Sequence, residues 1–195
     1  MAGDASSPPK RGRPRDPTID ARVLAVTAEL LATEGFFATT VQEIARRAAV
    51  PSSAIYRRWP SRIELIEDAV YPGQAAPLDV EPTGDLTADL ARFVDGFLAT
   101  LTTPAARAAL PGLMVQYQTE GGWPASDRWT PVSSRPQFQR ILAAAPGEVD
   151  PDVDVDSAFD LLLGAILVHS FVPTPDSDTQ DAATIVDLIR RVLRP

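Results

Sequence analysis

Apolar residues recur at helical spacing along most of the chain, and Gly, Pro or clusters of polar residues interrupt the pattern. No run alternates between polar and apolar residues for long enough to predict a β-strand. The pattern therefore predicts an all-α chain. The predicted helices cover about residues 18–34, 40–48, 52–58, 61–71, 86–102, 104–119, 135–145, 157–171 and 178–194.

Local signals mark where the first helices begin and end. Gly35 stands where a left-handed residue closes the first helix. Thr40 and Glu43 form a capping box, in which the Thr40 hydroxyl accepts from the amide of residue 43 and the Glu43 carboxylate reaches back to the amide of residue 40. Ser61 and Glu64 repeat this box ahead of the fourth helix.

The second and third helices are joined by a tight turn, Ala49-Val50-Pro51, because Pro51 cannot continue a helix and fixes its own φ. Ser52 or Ser53 is expected to cap the third helix. Two short helices joined in this way, the second ending in a basic and aromatic cluster, are typical of a unit that places a helix in the major groove of DNA.

Charge is distributed unevenly along the chain, whose net charge is −8. Residues 1–62 carry ten basic and six acidic residues, whereas residues 63–195 carry eight basic and twenty acidic ones. A basic head on an acidic body is expected when one end of a protein meets phosphates. The alternative is an accident of composition.

Composition excludes several classes of site. The chain has no cysteine and a single histidine, His169, so we expect no disulfide, no thiolate metal site and no histidine-rich metal site. No Gly-rich phosphate loop, G-x-S-x-G motif or paired carboxylates stand out, so we expect neither an enzyme nor a cofactor. No apolar run is long enough to span a membrane, and the first residues lack the apolar core of a secretory signal, so we expect a cytoplasmic protein.

The third helix and its flanks carry the residues expected to contact DNA. Short polar side chains at its start suit base edges, and Arg57 can reach a guanine. Trp59 is expected in the core. The alternative is that the aromatic residues are ordinary packing and the arginines are solvated. The candidate base-contacting residues are Gln42, Ser52, Ser53, Ala54 and Arg57, and the candidate phosphate-contacting residues are Thr40, Tyr56, Arg58 and Arg62.

The first 17 residues are polar and rich in Pro and Arg, and we expect them to be disordered. Within them, Arg11, Arg13 and Arg15 surround a Gly-Arg-Pro core like that of an AT-hook. Extended arginines suit the narrow minor groove of A·T-rich DNA. The alternative is a tail that only improves solubility.

The N-terminal sequence resembles the signature of the TetR family of transcriptional regulators over about residues 20–70. The resemblance implies an all-α homodimer, an operator with two-fold symmetry and an inducer pocket in the C-terminal body. The family usually has Gly at Ala49, a small polar residue at Pro51, Phe at Trp59 and Lys at Arg62, and we expect the turn to form nonetheless. The matching residues are Val23-Leu24, Gly35-Phe36, Thr39-Thr40, Ile44-Ala45, Val50, Ile55-Tyr56, Trp59 and Ser61-Arg62.

The organisation that follows is a three-helix helix-turn-helix DNA-binding domain and then a helical ligand-binding and dimerisation domain. The predicted bounds are 1–17 for a basic arm, 18–71 for the DNA-binding domain, 72–84 for a linker and 85–195 for the second domain.

Apolar residues of the body supply two further sets of candidates. Aromatic residues with few charges suit a pocket for an apolar or aromatic molecule, although each is also a candidate for plain packing. The candidate ligand-binding residues are Phe97, Leu101, Met114, Tyr117, Phe138 and His169. The family resemblance implies that the last two helices form the dimer interface, through Phe159, Leu162, Ile166, Ile185, Leu188, Ile189 and Val192.

Together these features predict a ligand-responsive transcriptional regulator. We expect a repressor that binds a palindromic operator as a homodimer and is released by a small apolar or aromatic molecule. Two alternatives are a helical small-molecule carrier or enzyme without a DNA role, and a DNA-binding dimer without an inducer.

Overall fold

The computed structural model describes residues 17–71, 80–119, 134–171 and 182–195. In these ranges the chain is helical and contains no strand, which confirms the all-α prediction. None of the helices in these ranges is long and apolar enough to cross a bilayer. The helices are α1 (Pro17–Glu34), α2 (Val41–Ala48), α3 (Ser52–Tyr56), α4 (Arg62–Val70), α5 (Leu86–Leu101), α6 (Pro104–Thr119), α7 (Arg135–Ala143), α8 (Val155–Phe171) and α9 (Ala182–Leu193).

Helix α1 is shared by the two halves of the molecule. Its Val23 and Leu30 side chains face α2, α3 and α4, whereas Leu31 belongs to the core of the body formed by α5–α9. Gly35 closes the helix with φ +82°, as predicted, and its amide donates to the Leu31 carbonyl at 3.1 Å. The chain can then turn sharply into the loop that leads to α2.

The N-terminal unit, α1–α4, has a small core of its own. It consists of Val23, Leu30, Val41, Ile44, Ala45, Ala48, Ile55, Trp59 and Leu65. Ile44, Ala45 and Ala48 are buried, as the periodicity of α2 predicted. Helix α2 packs on α1, and α3 packs on α2 with Ile55 in this core. The exposed residues of α3 are its polar ones.

The core of the body extends into the N-terminal unit. Leu31, Phe36, Ile66, Val70 and Tyr71 all belong to it. Helix α6 packs against α1 and α4, while α5 packs against α7, α8 and α9. The predicted bound at residue 71 thus falls after a helix whose inner face is already part of the body, and the domain limits stay a prediction.

The last residues of the predicted linker are fixed to α5 by a buried carboxylate. Asp89 accepts from the Thr83 amide at 2.8 Å, the Thr83 hydroxyl at 2.7 Å and the Gly84 amide at 3.2 Å. Arg92 adds an ion pair at 2.5 Å. Burial alone would raise the pKa of Asp89, but these donors outweigh it and lower the pKa below its usual value.

Replacing Asp89 should therefore destabilise the body. Asp89→Ala leaves buried donors without an acceptor, and we expect a loss of about 2–3 kcal/mol in the free energy of unfolding, measured by chemical denaturation. Because the folded pKa is lowered, the contribution of Asp89 is present above its unfolded pKa and is lost as the pH falls through the folded one.

The matched control is Asp95→Ala, which removes an exposed carboxylate from the same helix. Equal stabilities of the two variants at neutral pH would contradict the role given to Asp89.

Candidate nucleic-acid interface

The start of α2 is capped by Thr40, as predicted, but only half of the capping box forms. The Thr40 hydroxyl accepts from the Glu43 amide at 3.2 Å. The Thr40 amide donates instead to the Ala38 carbonyl at 2.8 Å, so it has no need of the Glu43 side chain. The prediction that the Glu43 carboxylate reaches back to residue 40 was wrong.

The Glu43 carboxylate is occupied by two arginines of its own helix. Arg46 binds it through Nε at 2.8 Å and Nη2 at 2.5 Å, and Arg47 binds it through Nε at 2.6 Å. Arg47 also pairs with Glu34 at the end of α1. Hydrogen bonds from Arg46 and then Arg47 lower the pKa of Glu43 to about 2, so the carboxylate stays ionised at physiological pH.

This network removes two arginines from the free positive charge of the surface. The network was not predicted from the sequence, although acids and bases three and four residues apart on a helix are a known pairing signal.

The turn between α2 and α3 keeps its geometry without glycine. Ala49 adopts a left-handed conformation with φ 52° and ψ 46°. The next amide, of Val50, donates to the Ala45 carbonyl at 3.0 Å and closes the end of α2. A left-handed residue with a Cβ costs about 1–2 kcal/mol, a cost that the packing on both sides of the turn offsets.

Helix α3 begins at residue 52, as predicted, and ends two residues earlier than predicted. Its N-cap is Pro51, with φ −63° and ψ 140°, and not Ser52 or Ser53. The Pro51 carbonyl accepts from Ala54 at 2.9 Å and from Ile55 at 3.4 Å. Proline fits because it supplies the extended conformation and needs no donor there. As a result, both serine hydroxyls are without hydrogen bonds to the described part of the chain.

The outer face of the helix-turn-helix carries polar groups that the protein itself does not use. Gln42, Ser53, Tyr56 and Arg57 are exposed, and the Tyr56 ring is 48% exposed. The Arg57 guanidinium makes no ion pair within the described ranges. Thr40, Ser52 and Ala54 are half-buried beside them. Ile55 faces inward and holds α3 on the core.

Arg58 does not join this face. Its Nε forms an ion pair with Asp20 of α1, and its Nη1 donates to the Ala54 carbonyl at 3.2 Å. Only 12% of its side chain is exposed. The amides of Arg58 and Trp59 still donate to the Ile55 carbonyl beyond the end of α3, and the Arg58 side chain lies against Asp20 of α1. The structure thus gives this arginine an internal partner, and its phosphate contact stays a prediction.

Arg62 is engaged in the same way. Its Nε donates to the Thr39 carbonyl at 2.7 Å and its Nη2 donates to the Phe36 carbonyl. The guanidinium lies over the Phe36 ring, 4.3 Å from the ring centroid. Partial burial lowers the pKa of Arg62, although arginine stays protonated at physiological pH. Two main-chain acceptors thus take up its donors in the protomer, and its phosphate contact stays a prediction.

Trp59 lies in the core, as predicted. It is 5% exposed, and its indole N–H donates to Asp68 of α4 at 2.7 Å. The bond satisfies the only polar atom of the ring and ties the end of the helix-turn-helix to α4.

The sequence is similar to known proteins along most of its length. Residues 23–69 match the family described as bacterial regulatory proteins of the tetR family. Residues 80–189 match the tetracyclin repressor-like C-terminal domain. The chain belongs to the TetR family. It is therefore a ligand-responsive, DNA-binding transcriptional regulator, and not an enzyme.

Relatives of similar length support the assignment to the TetR family. The HTH-type transcriptional regulator YdeS of Bacillus subtilis is 30% identical over 174 residues, which are 84% of this chain and 83% of YdeS. Rv1556 of Mycobacterium tuberculosis, also an HTH-type transcriptional regulator, is 30% identical over 179 residues, 87% and 88% of the two chains. The structure of the TetR regulator SCO0520 from Streptomyces coelicolor has 29% identity and a TM-score of 0.52, covering 90% of this chain and 98% of its own.

The candidate ligand residues of this TetR-family chain are mostly packed inside the body. Phe97, Leu101, Tyr117 and Phe138 are buried, and Met114 and His169 are half-buried. The Phe97 ring packs on Phe93 at 5.1 Å between centroids, and Phe93 on Phe138 at 6.1 Å. Three of the aromatic rings thus pack on one another inside the body.

A groove of about 450 Å³ lies elsewhere, at the end of α7 and the start of α8. None of the six predicted ligand residues lines it. Its lining is Gln139, Leu142, Ala143, Pro146, Val149, Asp150, Pro151, Val153 and Val155.

The predicted dimer helices expose different residues from those expected of the TetR-family interface. Five of the seven predicted residues are buried inside their own protomer: Phe159, Leu162, Ile166, Ile185 and Ile189. Leu188 and Val192 of α9 are exposed, as are Leu161 and Val168 of α8, which are not among the seven predicted residues. Apolar residues on both sides of α8 were the signal for this second face. A helix that packs against a single core needs only one apolar stripe.

The predicted arginine arm, Arg11, Arg13 and Arg15, lies outside the described residues, as do most of the predicted linker and Trp123 and Trp129. The minor-groove contact of the arm stays a prediction.

Replacing Ala49, which is left-handed, by glycine should stabilise the protein. Ala49→Gly removes the cost of a Cβ at positive φ, partly offset by the greater freedom of glycine in the unfolded chain, and we expect a gain of about 0.5–1 kcal/mol. The measurement is the midpoint of chemical unfolding.

The control is Ala25→Gly, an exposed position inside α1, where the same change should cost about 1 kcal/mol. A loss of stability at both positions would show that the turn is not in the left-handed conformation.

Proposed function

We propose that this TetR-family regulator is a repressor that binds a palindromic operator as a homodimer and is released by a small apolar or aromatic molecule. The composition of the outer face of α3 is the observation that supports operator binding. Ser53, Tyr56 and Arg57 are exposed and Ser52 is half-buried. Their side chains make no hydrogen bond or ion pair within the described part of the chain. The other arginines of α2–α4 already have internal partners.

The roles follow from reach and chemistry. Ser52, Ser53 and Ala54 form the first turn of α3, the part of a recognition helix that meets base edges. Arg57 can bind a guanine through two parallel hydrogen bonds. Tyr56 and Thr40 carry hydroxyls that suit phosphate oxygens on either side, and Gln42 suits a base edge or a phosphate.

The operator is found by selecting genomic DNA fragments with the purified protein, and affinity is then measured on the recovered palindrome. The Tyr56→Ala/Arg57→Ala variant should lose specific binding, because each half-site gives up a base contact of about 1–3 kcal/mol and a phosphate contact. Sedimentation should show an unchanged assembly.

Arg107→Ala is the matched control for charge, since it removes an exposed arginine from α6 in the body. If the double variant kept the sequence preference of the parent protein, α3 would not be the recognition helix.

The homodimer is supported by the apolar residues left exposed on α8 and α9. Leu161, Val168, Leu188 and Val192 project from two neighbouring helices that pack on each other. Gly164 lies between the first two in sequence, with open space where a Cβ would be, which permits close helix approach. A two-fold axis through such a face pairs it with itself and can set two recognition helices about 34 Å apart.

A charge placed on this face should separate the protomers. Leu188 is 54% exposed in the protomer, so Leu188→Asp spares the core but buries a carboxylate in the dimer. We expect monomers by sedimentation, with helix content retained and operator affinity lost.

Val115→Asp, at an equally exposed position on α6, should leave the dimer intact. A dimeric Leu188→Asp protein would contradict this interface.

A further inference from the structure

Helix α3 is too short to hold its position by itself. It has five residues, and its N-cap makes no side-chain hydrogen bond. Isolated helices shorter than about 12–15 residues are marginal in water, so the direction of α3 depends on contacts with other parts of the protein. One of them is apolar, since Ile55 is buried in the core of the N-terminal unit.

The side chains of Arg58 and Trp59 connect the end of α3 to two other helices. The Trp59 indole N–H donates to Asp68 of α4 at 2.7 Å. Arg58 forms an ion pair with Asp20 of α1. Both residues are joined to α3 through the backbone, because their amides donate to the Ile55 carbonyl at 2.8 Å and 2.9 Å.

The Arg58 guanidinium joins α1 to α3 directly. Besides the ion pair with Asp20, its Nη1 donates to the Ala54 carbonyl at 3.2 Å. The Arg58 side chain is 12% exposed and the Asp20 side chain 32%. Water and salt screen such a partly buried pair less than a pair on the open surface, so the attraction between α1 and α3 persists at physiological ionic strength.

The exposed residues of α3 lie next to this contact along the chain. Tyr56 and Arg57 directly precede Arg58, and Ser53 directly precedes Ala54, whose carbonyl Arg58 binds. A change in the direction of α3 would move all three exposed side chains together. Hydrogen bonds to base edges and phosphates depend strongly on distance and angle, so such a movement would weaken them.

We propose that Asp20 of α1 is a positioning residue for operator recognition, which holds α3 through Arg58 in the orientation that the exposed side chains of α3 require. The inference rests on the proposed function, because it takes α3 as the recognition helix. A carboxylate close to DNA ordinarily weakens binding, because it repels phosphates. Asp20 should strengthen binding instead, and this difference in sign makes the role testable.

Asp20→Ala tests the sign of the effect on DNA binding. We expect operator affinity to fall roughly tenfold, within the range of coupling energies for residues of one salt-bridge network, while affinity for unrelated DNA does not fall. Glu29→Ala is the matched control. It removes from the same helix an exposed carboxylate that has no ion pair in the described ranges, and it should not weaken operator binding.

Tighter operator binding by Asp20→Ala, with a steeper dependence on salt concentration, would overturn the positioning role. It would show that Asp20 only keeps Arg58 away from a phosphate. Unchanged operator affinity would overturn the role as well.

Arg58→Met removes the other partner of the pair. We expect a loss of operator affinity with an unchanged slope of log affinity against log salt concentration. A lost phosphate contact would lower that slope by about one for each half-site, which would overturn the positioning role. The double variant Asp20→Ala/Arg58→Met should lose no more affinity than Arg58→Met alone, because both changes break the same pair. Full addition of the two losses would contradict the coupling of Asp20 to Arg58.

Amide hydrogen exchange tests the contact between α1 and α3 without DNA. The amides of residues 57–59 donate to carbonyls of α3. They should exchange faster in Asp20→Ala than in the parent protein or in Glu29→Ala, because α3 opens more often. An unchanged exchange rate would overturn the role of Asp20. If the parent protein selected no operator, the proposed function would fail, while exchange would still decide whether Asp20 holds α3.

Discussion

The arrangement of the N-terminal unit depends on one guanidinium placed where three helices meet. The loop between α1 and α2 leaves the carbonyls of Phe36 and Thr39 without helical partners, and Arg62 supplies donors to both. The planar fork of arginine suits two acceptors and one aromatic face at the same time, which a lysine ammonium does not. Burial of this charge is compensated by those contacts, and removal would leave two carbonyls and a ring without their partner.

The positive charge of residues 1–62 is larger than the charge that is free to contact DNA. In α2–α4, Arg46 and Arg47 form ion pairs with Glu43 and Glu34, and Arg58 forms one with Asp20. Arg62 keeps its charge, but its donors are taken up by main-chain oxygens. Arg57 remains, at the exposed end of α3. We therefore propose that the sequence specificity of this unit comes from a few short side chains and one arginine. The other arginines of α2–α4 contact groups of the protein itself.

Much of the fold could be predicted from the sequence because it depends on local chemistry. Helical periodicity gave the helix bounds to within a few residues, and Gly35, Thr40 and Ser61 act at helix ends as expected. The left-handed turn formed around Ala49 because the packing of α2 and α3 on α1 decides its shape, which local preference alone does not reveal.

The side-chain partners could not be predicted, because they depend on contacts between distant segments. Arg58 meets Asp20 across 38 positions of sequence, and Arg62 meets Phe36 across 26. The predicted dimer residues stay a prediction, and five of the seven are buried in the protomer. Periodicity shows that α8 and α9 have apolar faces, but not which face lies in the protomer. The TetR signature identifies the family, but it does not show which partner a side chain contacts or which face of a helix lies in the protomer.

The measurement that bears most directly on this account is a crystal structure of the protein bound to its selected operator. The account predicts two protomers related by a two-fold axis, Arg57 at a base edge in each half-site, and Arg62 still bound to the Phe36 and Thr39 carbonyls. An Arg62 side chain bound to a phosphate oxygen, with those carbonyls released, would contradict it.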